Sequence, residues 1–415
     1  MTATELDPTV RTPRRETGPG GLGLIALLVY AASRMVTSAF VVQAAQRQLP
    51  YEPWTGPEVT FLDMSVMWDG SWYRHIVSSG YPDALPIDAV GNVAQNAWAF
   101  YPVFPRLVGG LMRFTGMDFR LTATLVSLLA GAAAAVLMVH LFARYAPAPV
   151  AVSAMALWAV QPASASLQIA YTESLATLVL VGLLTALIDR RWWLVAALAV
   201  VLGLTRPIAV PVALVVGIVV LREILTWWLQ RSRRPAHTLS LPVAALAVTG
   251  AAAVLWPTLV SVRTGRSDAY AQTMAAWRAG HEIVPLRPWI DNTAAILFSG
   301  SSRPTLYAAL VVVALAAFLV AAAVGPWAAR LPLELRLWML AYPAYLALVL
   351  DVSTSLVRYA VPLFPLTLVL IGGGLRRIPH WWPVLATVLV ALSLWGQHAW
   401  TTELLVLDPP ANYPP

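Results

Sequence analysis

Long apolar stretches, separated by short polar loops, repeat along almost the whole chain. A membrane-spanning helix needs about 20 consecutive apolar residues, and several of these stretches reach that length. The candidates lie near residues 20–44, 121–143, 149–168, 171–188, 192–205, 206–222, 241–262, 305–324, 337–350, 355–374 and 382–399. The pattern predicts an all-α polytopic integral membrane protein with about 11 transmembrane helices.

Composition supports this class and excludes several others. The chain is 59% hydrophobic and only 11% charged, whereas soluble domains carry roughly a quarter charged residues. The lack of cysteine excludes disulfides and thiolate metal sites. All 27 basic residues are arginine, which together with the alanine richness is typical of a GC-rich bacterial genome. The net charge of +7 does not predict a nucleic-acid partner, because basic cytoplasmic loops explain it.

The distribution of arginine predicts the orientation. With the N-terminus inside, the inner segments hold 14 arginines and six carboxylates, and the outer segments hold 12 arginines and 14 carboxylates. Cytoplasmic loops are enriched in basic residues. We therefore expect a multi-pass protein of a bacterial plasma membrane. Residues 1–19 would be a cytoplasmic tail, 20–399 the transmembrane domain and 400–415 a Pro-rich extracytoplasmic tail.

Two large loops and three short turns fall on the predicted outer face. The loops are 45–120 and 263–303, and the turns are Tyr171–Ser174, Thr205–Pro207 and Leu356–Tyr359. Within the first loop, the apolar segment Phe100–Gly116 is short for a span and is interrupted by prolines. Counting it as a span would put the most basic loops outside, so we expect a surface or re-entrant helix there. The mixture of charged and aromatic residues predicts an active site on this outer face.

The first outer loop carries the strongest candidate for catalysis, Asp69. Trp68, Trp72, Ile76 and Ser79 fall on one face of a helix predicted over Thr60–Ser79. Tryptophan favours the headgroup level of a bilayer, so this helix is predicted to lie at the interface. A carboxylate beside that aromatic face can act as a general base towards a sugar hydroxyl. The alternative is a floating helix with Asp69 on its wet face.

Other candidates for substrate binding lie at the ends of spans. Arg206 and Arg358 suit bidentate binding of a lipid phosphate, although arginines at helix ends also snorkel to the interface. Glu173 borders two apolar spans, where a carboxylate usually has a partner. His75 is favoured as an interfacial hydrogen-bonding residue over a catalytic base. The sequence contains no Asp-x-Asp or His-Glu-x-x-His metal motif and no Gly-x-Ser-x-Gly elbow.

Three motifs resemble those of the PIG-V-like mannosyltransferases, a family that includes GPI mannosyltransferase II and bacterial relatives. The first joins Trp68-Asp69 to Tyr73, Ile76 and Gly80-Tyr81; the second is Asn96-Ala97-Trp98-Ala99-Phe100-Tyr101-Pro102-Val103-Phe104-Pro105; the third joins Pro162-Ala163-Ser164 to Tyr171-Thr172-Glu173-Ser174. The motifs cover about a quarter of the chain. The region around Thr205-Arg206-Pro207 lacks the Arg-Ser-Asn-Gly run of eukaryotic members, which leaves the role of Arg206 and the acceptor open.

The resemblance implies a GT-C fold and an inverting glycosyltransferase. Mannose would pass from a polyprenyl-phosphate donor to an extracytoplasmic lipid-linked, glycan or protein acceptor, forming an α-mannoside. Asp69 would be the base. The donor would be bound by residues drawn from Arg206, Arg358, His75, Tyr73, Tyr171 and Glu173, and Trp68, Trp72, Tyr101, Pro102 and Pro105 would position the site. No obligatory cofactor or metal is implied, because a phosphate is already a good leaving group.

Three alternatives compete with this interpretation. A GT-C transferase could use another polyprenyl-phosphate sugar, such as arabinose or glucose, because these residues do not specify the sugar. A lipid or glycan transporter or flippase would place ionisable groups near the middle of the bilayer and often shows inverted repeats. Here the charges cluster on one face and no repeat is evident. An inactive partner subunit is disfavoured by the intact Trp68-Asp69 motif.

Overall fold

The computed structural model describes residues 19–51, 54–230, 235–278, 283–350 and 355–408. Residues 1–18 of the predicted cytoplasmic tail and the end of the Pro-rich tail lie outside the described residues, as do Arg231, Arg233, Arg234, His281 and Glu282 of the predicted loops. In chain order the α-helices are α1 Pro19–Arg47, α2 Phe61–Ser65, α3 Asp69–Ser79, α4 Val103–Thr115, α5 Phe119–Ala143, α6 Ala148–Ala159, α7 Glu173–Ile188, α8 Trp192–Gly203, α9 Ala209–Leu229, α10 Ser240–Thr264, α11 Ala269–Trp277, α12 Arg287–Phe298, α13 Pro304–Val324, α14 Leu333–Val349, α15 Leu356–Tyr359, α16 Phe364–Leu370 and α17 Trp382–Ala399.

Six of these helices are long and apolar enough to cross a membrane: α1, α5, α9, α10, α13 and α17. Shorter apolar helices, α6, α7 and α8, pack among them. The described residues form no β-strand, only an isolated bridge between Ile87 and Val93. The described part of the chain is thus all-helical, as predicted, with six candidate membrane spans. The number of 11 spans stays a prediction.

Two predicted spans are not continuous helices, and the first of them, at 149–168, leaves the α-helix at Ala159 and passes through a turn into a 3-10 helix, Ser164–Leu167. The apolar stretch at 355–374 contains two short helices, α15 and α16, separated by a turn. Pro362 and Pro365 lie in and just after this turn. Because proline lacks an amide hydrogen and disfavours helix in the residue before it, a straight span cannot form here. The break turns the charged end of α15 inward, where Arg358 is buried.

Helix α17 extends past its predicted end. A π-helical turn, Trp400–Leu404, continues it, and Leu405 and Leu407 are buried against the first loop. The side chain of Gln48 bonds both to the carbonyl oxygen of Leu407, at 3.2 Å, and to its amide, at 2.7 Å. The first part of the predicted tail at 400–415 therefore belongs to the packed structure.

The helices pack closely through small residues. Helix α5 contacts α1, α6 and α7, and α10 contacts α8 and α9. A Cβ atom on Gly203 of α8 would overlap the carbonyl oxygen of Ala252 in α10. Glycine and alanine at such positions let helix backbones approach closely, which is how helices associate within membranes.

Ion pairs join the loops at one end of the helical bundle. Arg144 lies 2.7 Å from Asp189, and Arg190 lies 2.8 Å from Glu223 and 2.6 Å from Glu334. Arg144 follows α5, Asp189 and Arg190 follow α7, Glu223 lies in α9, and Glu334 lies in the first turn of α14. All five belong to segments predicted to be cytoplasmic. The contacts group them at one end, while the side of the membrane stays a prediction.

The first loop differs from its predicted form. The expected helix over Thr60–Ser79 is two helices, α2 and α3, interrupted at 66–68. The interruption arises because Trp68 has a φ of 56°, outside the right-handed helical region. Further along, the segment Phe100–Gly116 contains α4, whose inner face buries Phe104 and Val108. Its outer face exposes leucines and a phenylalanine, which is typical of a helix lying at a membrane surface.

Candidate functional site

Asp69 occupies the first position of α3, immediately after the strained residue Trp68. The positive φ of Trp68 is unusual for a bulky residue, and such conformations persist only where the surroundings fix them. The Trp68 indole nitrogen donates to the carbonyl oxygen of Leu405 at 3.0 Å, and its ring lies 5.2 Å from that of Trp54. This packing holds the Asp69 side chain at the N-terminus of α3.

The segment that precedes α7 is bound directly to the end of α2 in the first loop. The amide of Ala170 donates to the carbonyl oxygen of Ser65 at 2.8 Å. A Cβ on Gly70 would lie 3.2 Å from that oxygen and 3.3 Å from the Ala170 Cβ, so glycine permits the close approach. Ser127 donates to the carbonyl oxygen of Tyr171 at 3.1 Å. The turn before α7 is thereby fixed beside Asp69.

Two arginines join Asp69 to Glu173. Arg358 Nη1 lies 2.5 Å from Asp69 Oδ2, and Arg358 Nε lies 3.4 Å from Glu173 Oε1. Arg206 Nη1 lies 2.6 Å from the same Glu173 oxygen and donates to Thr172 Oγ1 at 3.0 Å. We call Asp69, Glu173, Arg206 and Arg358 the charge cluster. Its members come from α3, α7, the turn before α9 and α15.

The charge cluster is largely shielded from solvent. The exposed side-chain fraction is 1% for Glu173, 5% for Arg358, 11% for Arg206 and 22% for Asp69. Asp69 is thus the member that reaches solvent. Two positive and two negative groups compensate one another, which is the condition under which charges are tolerated in an apolar interior.

Aromatic rings flank the two guanidinium groups. The Arg358 guanidinium carbon lies 4.8 Å from the centre of the Tyr171 ring and 5.7 Å from that of Tyr359, while the Arg206 carbon lies 5.6 Å from the Tyr359 ring. Cations at these distances are attracted to the ring faces. The two arginines are therefore held by both carboxylates and aromatic faces.

Several polar atoms within the charge cluster make no hydrogen bond. Among the described residues these include Glu173 Oε2, Arg206 Nε and Arg358 Nε, all buried. The 3.4 Å contact of Arg358 Nε with Glu173 is close enough for charge attraction but lacks the geometry of a hydrogen bond. Buried polar atoms without a partner are rare in proteins, and they often mark a place where a ligand or a water molecule binds. Two of the three are donors, which favours an anionic ligand.

Tyr73 lies next to the charge cluster and Thr172. Burial, followed by the neighbouring charge of Asp69, raises the pKa of the Tyr73 hydroxyl above its ordinary value. The hydroxyl is therefore neutral at physiological pH and can donate a hydrogen bond. Its ring packs against Phe100 and Phe104, at 5.3 and 5.1 Å between centroids. Tyr73 thus connects the first two sequence motifs.

The second motif supports the turn that carries Arg206. The amide of Val103 donates to the carbonyl oxygen of Leu204 at 3.1 Å, two residues before Arg206. Pro102 caps α4, and Pro105 lies buried in its first turn, where a missing amide hydrogen has no cost. The Tyr101 hydroxyl lies 3.0 Å from that of Tyr270 in α11, and burial raises its pKa well above the ordinary value. Both prolines and Tyr101 therefore hold the scaffold around the charge cluster.

His75 and Trp72, both in α3, lie beside open volume. A cavity of about 510 Å³ is lined by Trp54, Ser71, Trp72, Arg74, His75 and Ser78. A second cavity, of about 970 Å³, is lined by Trp72 and by residues from 88–95 and 272–276. Neither lining includes a member of the charge cluster, although Trp72 and His75 lie in the same helix as Asp69. His75 is exposed towards the first cavity, about one and a half turns from Asp69.

Sequence reasoning selected all four members of the charge cluster but missed part of their surroundings. Thr172 and Tyr359 contact the arginines directly. Each is the sequence neighbour of a cluster residue, and only that adjacency could have indicated its role. Nothing in the sequence indicates the conformation of Trp68, because its positive φ depends on packing against Leu405, a residue near the other end of the chain.

A metal site in a protein needs several side chains that can act as ligands close together. In the described part of the chain, no group of three or more histidine, aspartate or glutamate side chains could hold a metal ion. In the charge cluster, each carboxylate faces a guanidinium instead. Whether the chemistry proceeds without a metal stays a prediction.

The fold and the charge cluster define an all-helical chain with candidate membrane spans and a buried four-residue ionic site. No protein-family model matches the chain, and the search of curated proteins gave no match. The resemblance to the PIG-V-like mannosyltransferases therefore rests on the motifs alone.

Proposed function

We propose that the chain is an inverting glycosyltransferase of the GT-C fold, related to the PIG-V-like mannosyltransferases. It transfers mannose from a polyprenyl-phosphate donor to an acceptor hydroxyl at the outer surface of a bacterial plasma membrane. The single observation that carries the proposal is the convergence of Asp69, Glu173, Arg206 and Arg358 in one cluster. Such a cluster holds a candidate base and two candidate phosphate ligands together.

The two arginines are suited to the phosphate of the donor. Arg206 precedes the membrane-length helix α9, and Arg358 lies in α15, which follows α14. A lipid tail lying among these helices would bring its phosphate to their ends. Guanidinium groups bind phosphate oxygens with two parallel hydrogen bonds. The unpartnered Nε atoms of both arginines provide donors for this purpose.

The ion pair between Asp69 and Arg358 allows an exchange of partners on donor binding. Asp69 Oδ2 is bound to Arg358 at 2.5 Å, so one of the two carboxylate oxygens is occupied before the donor arrives. A donor phosphate competes with Asp69 for Arg358, because both are anions that bind the same fork. In this mechanism the arriving donor releases Asp69 towards the acceptor, while Glu173 keeps both arginines in place.

The reaction then balances in atoms and charge. Asp69 takes the proton of the acceptor hydroxyl, and the acceptor oxygen forms a bond to the anomeric carbon from the face opposite the phosphate. The bond between that carbon and the phosphate oxygen breaks, and polyprenyl phosphate leaves. Attack on a β-linked donor gives an α-mannoside. The proton gained by Asp69 offsets the negative charge gained by the phosphate, so the net charge of the site is unchanged, and the arginines stabilise the charge where it develops.

Two alternatives differ in how they would use the charge cluster, one not at all from the proposal and one entirely. Another polyprenyl-phosphate sugar would use the same base and the same phosphate ligands, so the identity of the sugar rests on the motifs. A transporter or flippase would use ionisable groups within the spans. The buried Arg34 in α1 is such a group, but it donates to the carbonyl oxygens of Ala159 and Ser164. Its donors thus cap the end of α6, which is a structural role.

Mass spectrometry of lipids and glycans from membranes tests the proposal. Membranes with and without the chain would be incubated with polyprenyl-phosphate mannose, and separately with the arabinose and glucose donors. We expect a new mannosylated product only in membranes that contain the chain. Products from another donor would correct the sugar, and no new product from any donor would contradict the proposed function.

A further inference from the structure

The larger cavity lies between the first loop and α11. Its volume is about 970 Å³, and we call it the polar cleft. Ligand pockets typically measure about 300–1,000 Å³, so the polar cleft falls at the upper end and suits a ligand of several rings. Trp72 forms part of its wall and lies three residues after Asp69 in α3. The cleft therefore begins one helical turn from the proposed base.

The lining of the polar cleft combines one aromatic ring with several side chains that both donate and accept hydrogen bonds. The carboxamides belong to Asn92, Gln95 and Gln272, Asp88 adds a carboxylate, and Val93 and three alanines complete the wall. Each carboxamide offers two donors and an acceptor. Sugar hydroxyl groups donate and accept in the same way, and the apolar face of a sugar ring stacks on an indole. The lining contains no basic side chain, so an anionic ligand is disfavoured.

The walls of the polar cleft are held firmly in place. Trp72 stacks on Phe100 with ring centroids 5.6 Å apart and planes inclined by 12°. Asn96, adjacent to Gln95, donates to Thr273 Oγ1 at 3.2 Å, which ties the first loop to the residue next to Gln272. A site whose walls are fixed before binding loses less entropy when the ligand arrives.

We propose that the polar cleft binds a carbohydrate, so that the acceptor is recognised through sugar rings rather than through a polypeptide. This inference rests on the proposed function, because only a transferase has an acceptor. It goes beyond that function by naming the acceptor class. An oligosaccharide in the cleft would place one end at Trp72 and hence near Asp69. The same chemistry fits a free glycan and a lipid-linked glycan.

Binding can be measured without any donor. Full-length protein in detergent would be studied by saturation-transfer NMR with α-linked mannotriose, maltotriose, a glycolipid that carries the same mannotriose, and a Ser/Thr peptide. The test variant is Gln95→Ala combined with Gln272→Ala, since both residues are exposed and tolerate truncation. The control is Gln230→Ala, an exposed glutamine that follows α9, outside the cleft lining.

We expect an oligosaccharide to bind the wild-type protein and the control equally. The double variant should bind on the order of tenfold more weakly, because two hydrogen bonds are lost. A tighter fit of the glycolipid than of the free sugar would identify a lipid-linked acceptor, and equal affinities would identify a free glycan. Unchanged binding in the double variant, or binding of the peptide alone, would overturn the inference. Oligosaccharide binding without sugar transfer from any donor would contradict only the proposed function.

Discussion

Asp69 and Arg358 form an ion pair of 2.5 Å although they are 289 residues apart in the chain. The first loop and the segment after α14 are therefore joined at one site. Arg358 also approaches Glu173, which binds Arg206. The proposed base and the proposed phosphate ligands thus neutralise each other before any substrate binds.

The shape of the arginine side chains should matter as much as their charge. Arg206→Lys and Arg358→Lys each keep the charge but lose the planar fork that binds two phosphate oxygens. A hydrogen bond to a charged group contributes about 1.5–3 kcal/mol, so we expect the donor KM to rise at least about tenfold for each variant. Steady-state transfer rates at varied donor concentration measure this.

Arg144→Lys is the matched control for both arginines. In the wild-type protein Arg144 also forms an ion pair, with Asp189, at the other end of the bundle. Its donor KM should equal that of the wild type. Wild-type donor KM values in both Arg206→Lys and Arg358→Lys would mean that the phosphate is bound elsewhere.

Glu173 should determine both stability and donor binding. Glu173→Gln keeps the size of the side chain but leaves Arg206 without its carboxylate. Removing one partner of a buried pair typically costs about 3–5 kcal/mol. We expect a clearly lower midpoint of thermal unfolding in detergent, together with a raised donor KM in the fraction that stays folded.

The comparison variant is Glu403→Gln, which breaks an exposed pair with Arg47. Exposed pairs contribute about 0–1 kcal/mol, so its unfolding midpoint should hardly change. If Glu173→Gln unfolds at the same temperature as this variant, Glu173 does not hold the arginines in the way described.

Gly131 in α5 should not tolerate alanine. A Cβ there would overlap the hydroxyl of Tyr30, which donates to the carbonyl oxygen of Leu167 beside the charge cluster. Overpacking of this kind costs about 1–3 kcal/mol. Gly110→Ala in α4 meets nothing within 4 Å, and replacing a helical glycine should stabilise by up to about 1 kcal/mol. Thermal unfolding of the two variants should therefore shift in opposite directions, and equal shifts would contradict the packing between α1 and α5.

The orientation can be tested directly because the chain has no cysteine. Cysteines introduced at Ser78, which lies near the end of α3, and at Thr238, which precedes α10, are both exposed. An impermeant thiol reagent applied to intact cells should label the Ser78→Cys variant and spare the Thr238→Cys variant. The reverse result would invert the predicted topology, and equal labelling would contradict it.

The helical class and the members of the charge cluster could be predicted from the sequence. Apolar stretches of spanning length leave few alternatives to membrane helices. Charged residues at the ends of such stretches are few, so Arg206, Arg358 and Glu173 could be selected one by one. Their mutual contacts could not be predicted, because pairing depends on how α3, α7 and α15 pack in three dimensions.

Details that depend on tertiary contacts could not be predicted from the sequence. The periodicity over Thr60–Ser79 predicts one helix, but packing forces a break at Trp68. From the spacing of Asp63 and Asp69 in the sequence, the loss of the Asp63 carboxylate is expected to leave activity largely unchanged. In the structure Asp63 is 3% exposed, completes a capping box with Thr60 and pairs with Arg120. Asp63→Asn would therefore disturb α2, and the exposed Asp83 is the appropriate control.

The most direct test is turnover by Asp69→Asn in the transfer assay with polyprenyl-phosphate mannose. Asparagine keeps the size of the side chain but cannot take the acceptor proton, and losing a general base typically costs about 10²–10⁴ in rate. We expect a loss of that size, with protein level and donor binding retained and with Asp83→Asn as active as the wild type. Wild-type turnover by a folded Asp69→Asn variant would contradict the assignment of Asp69 as the base.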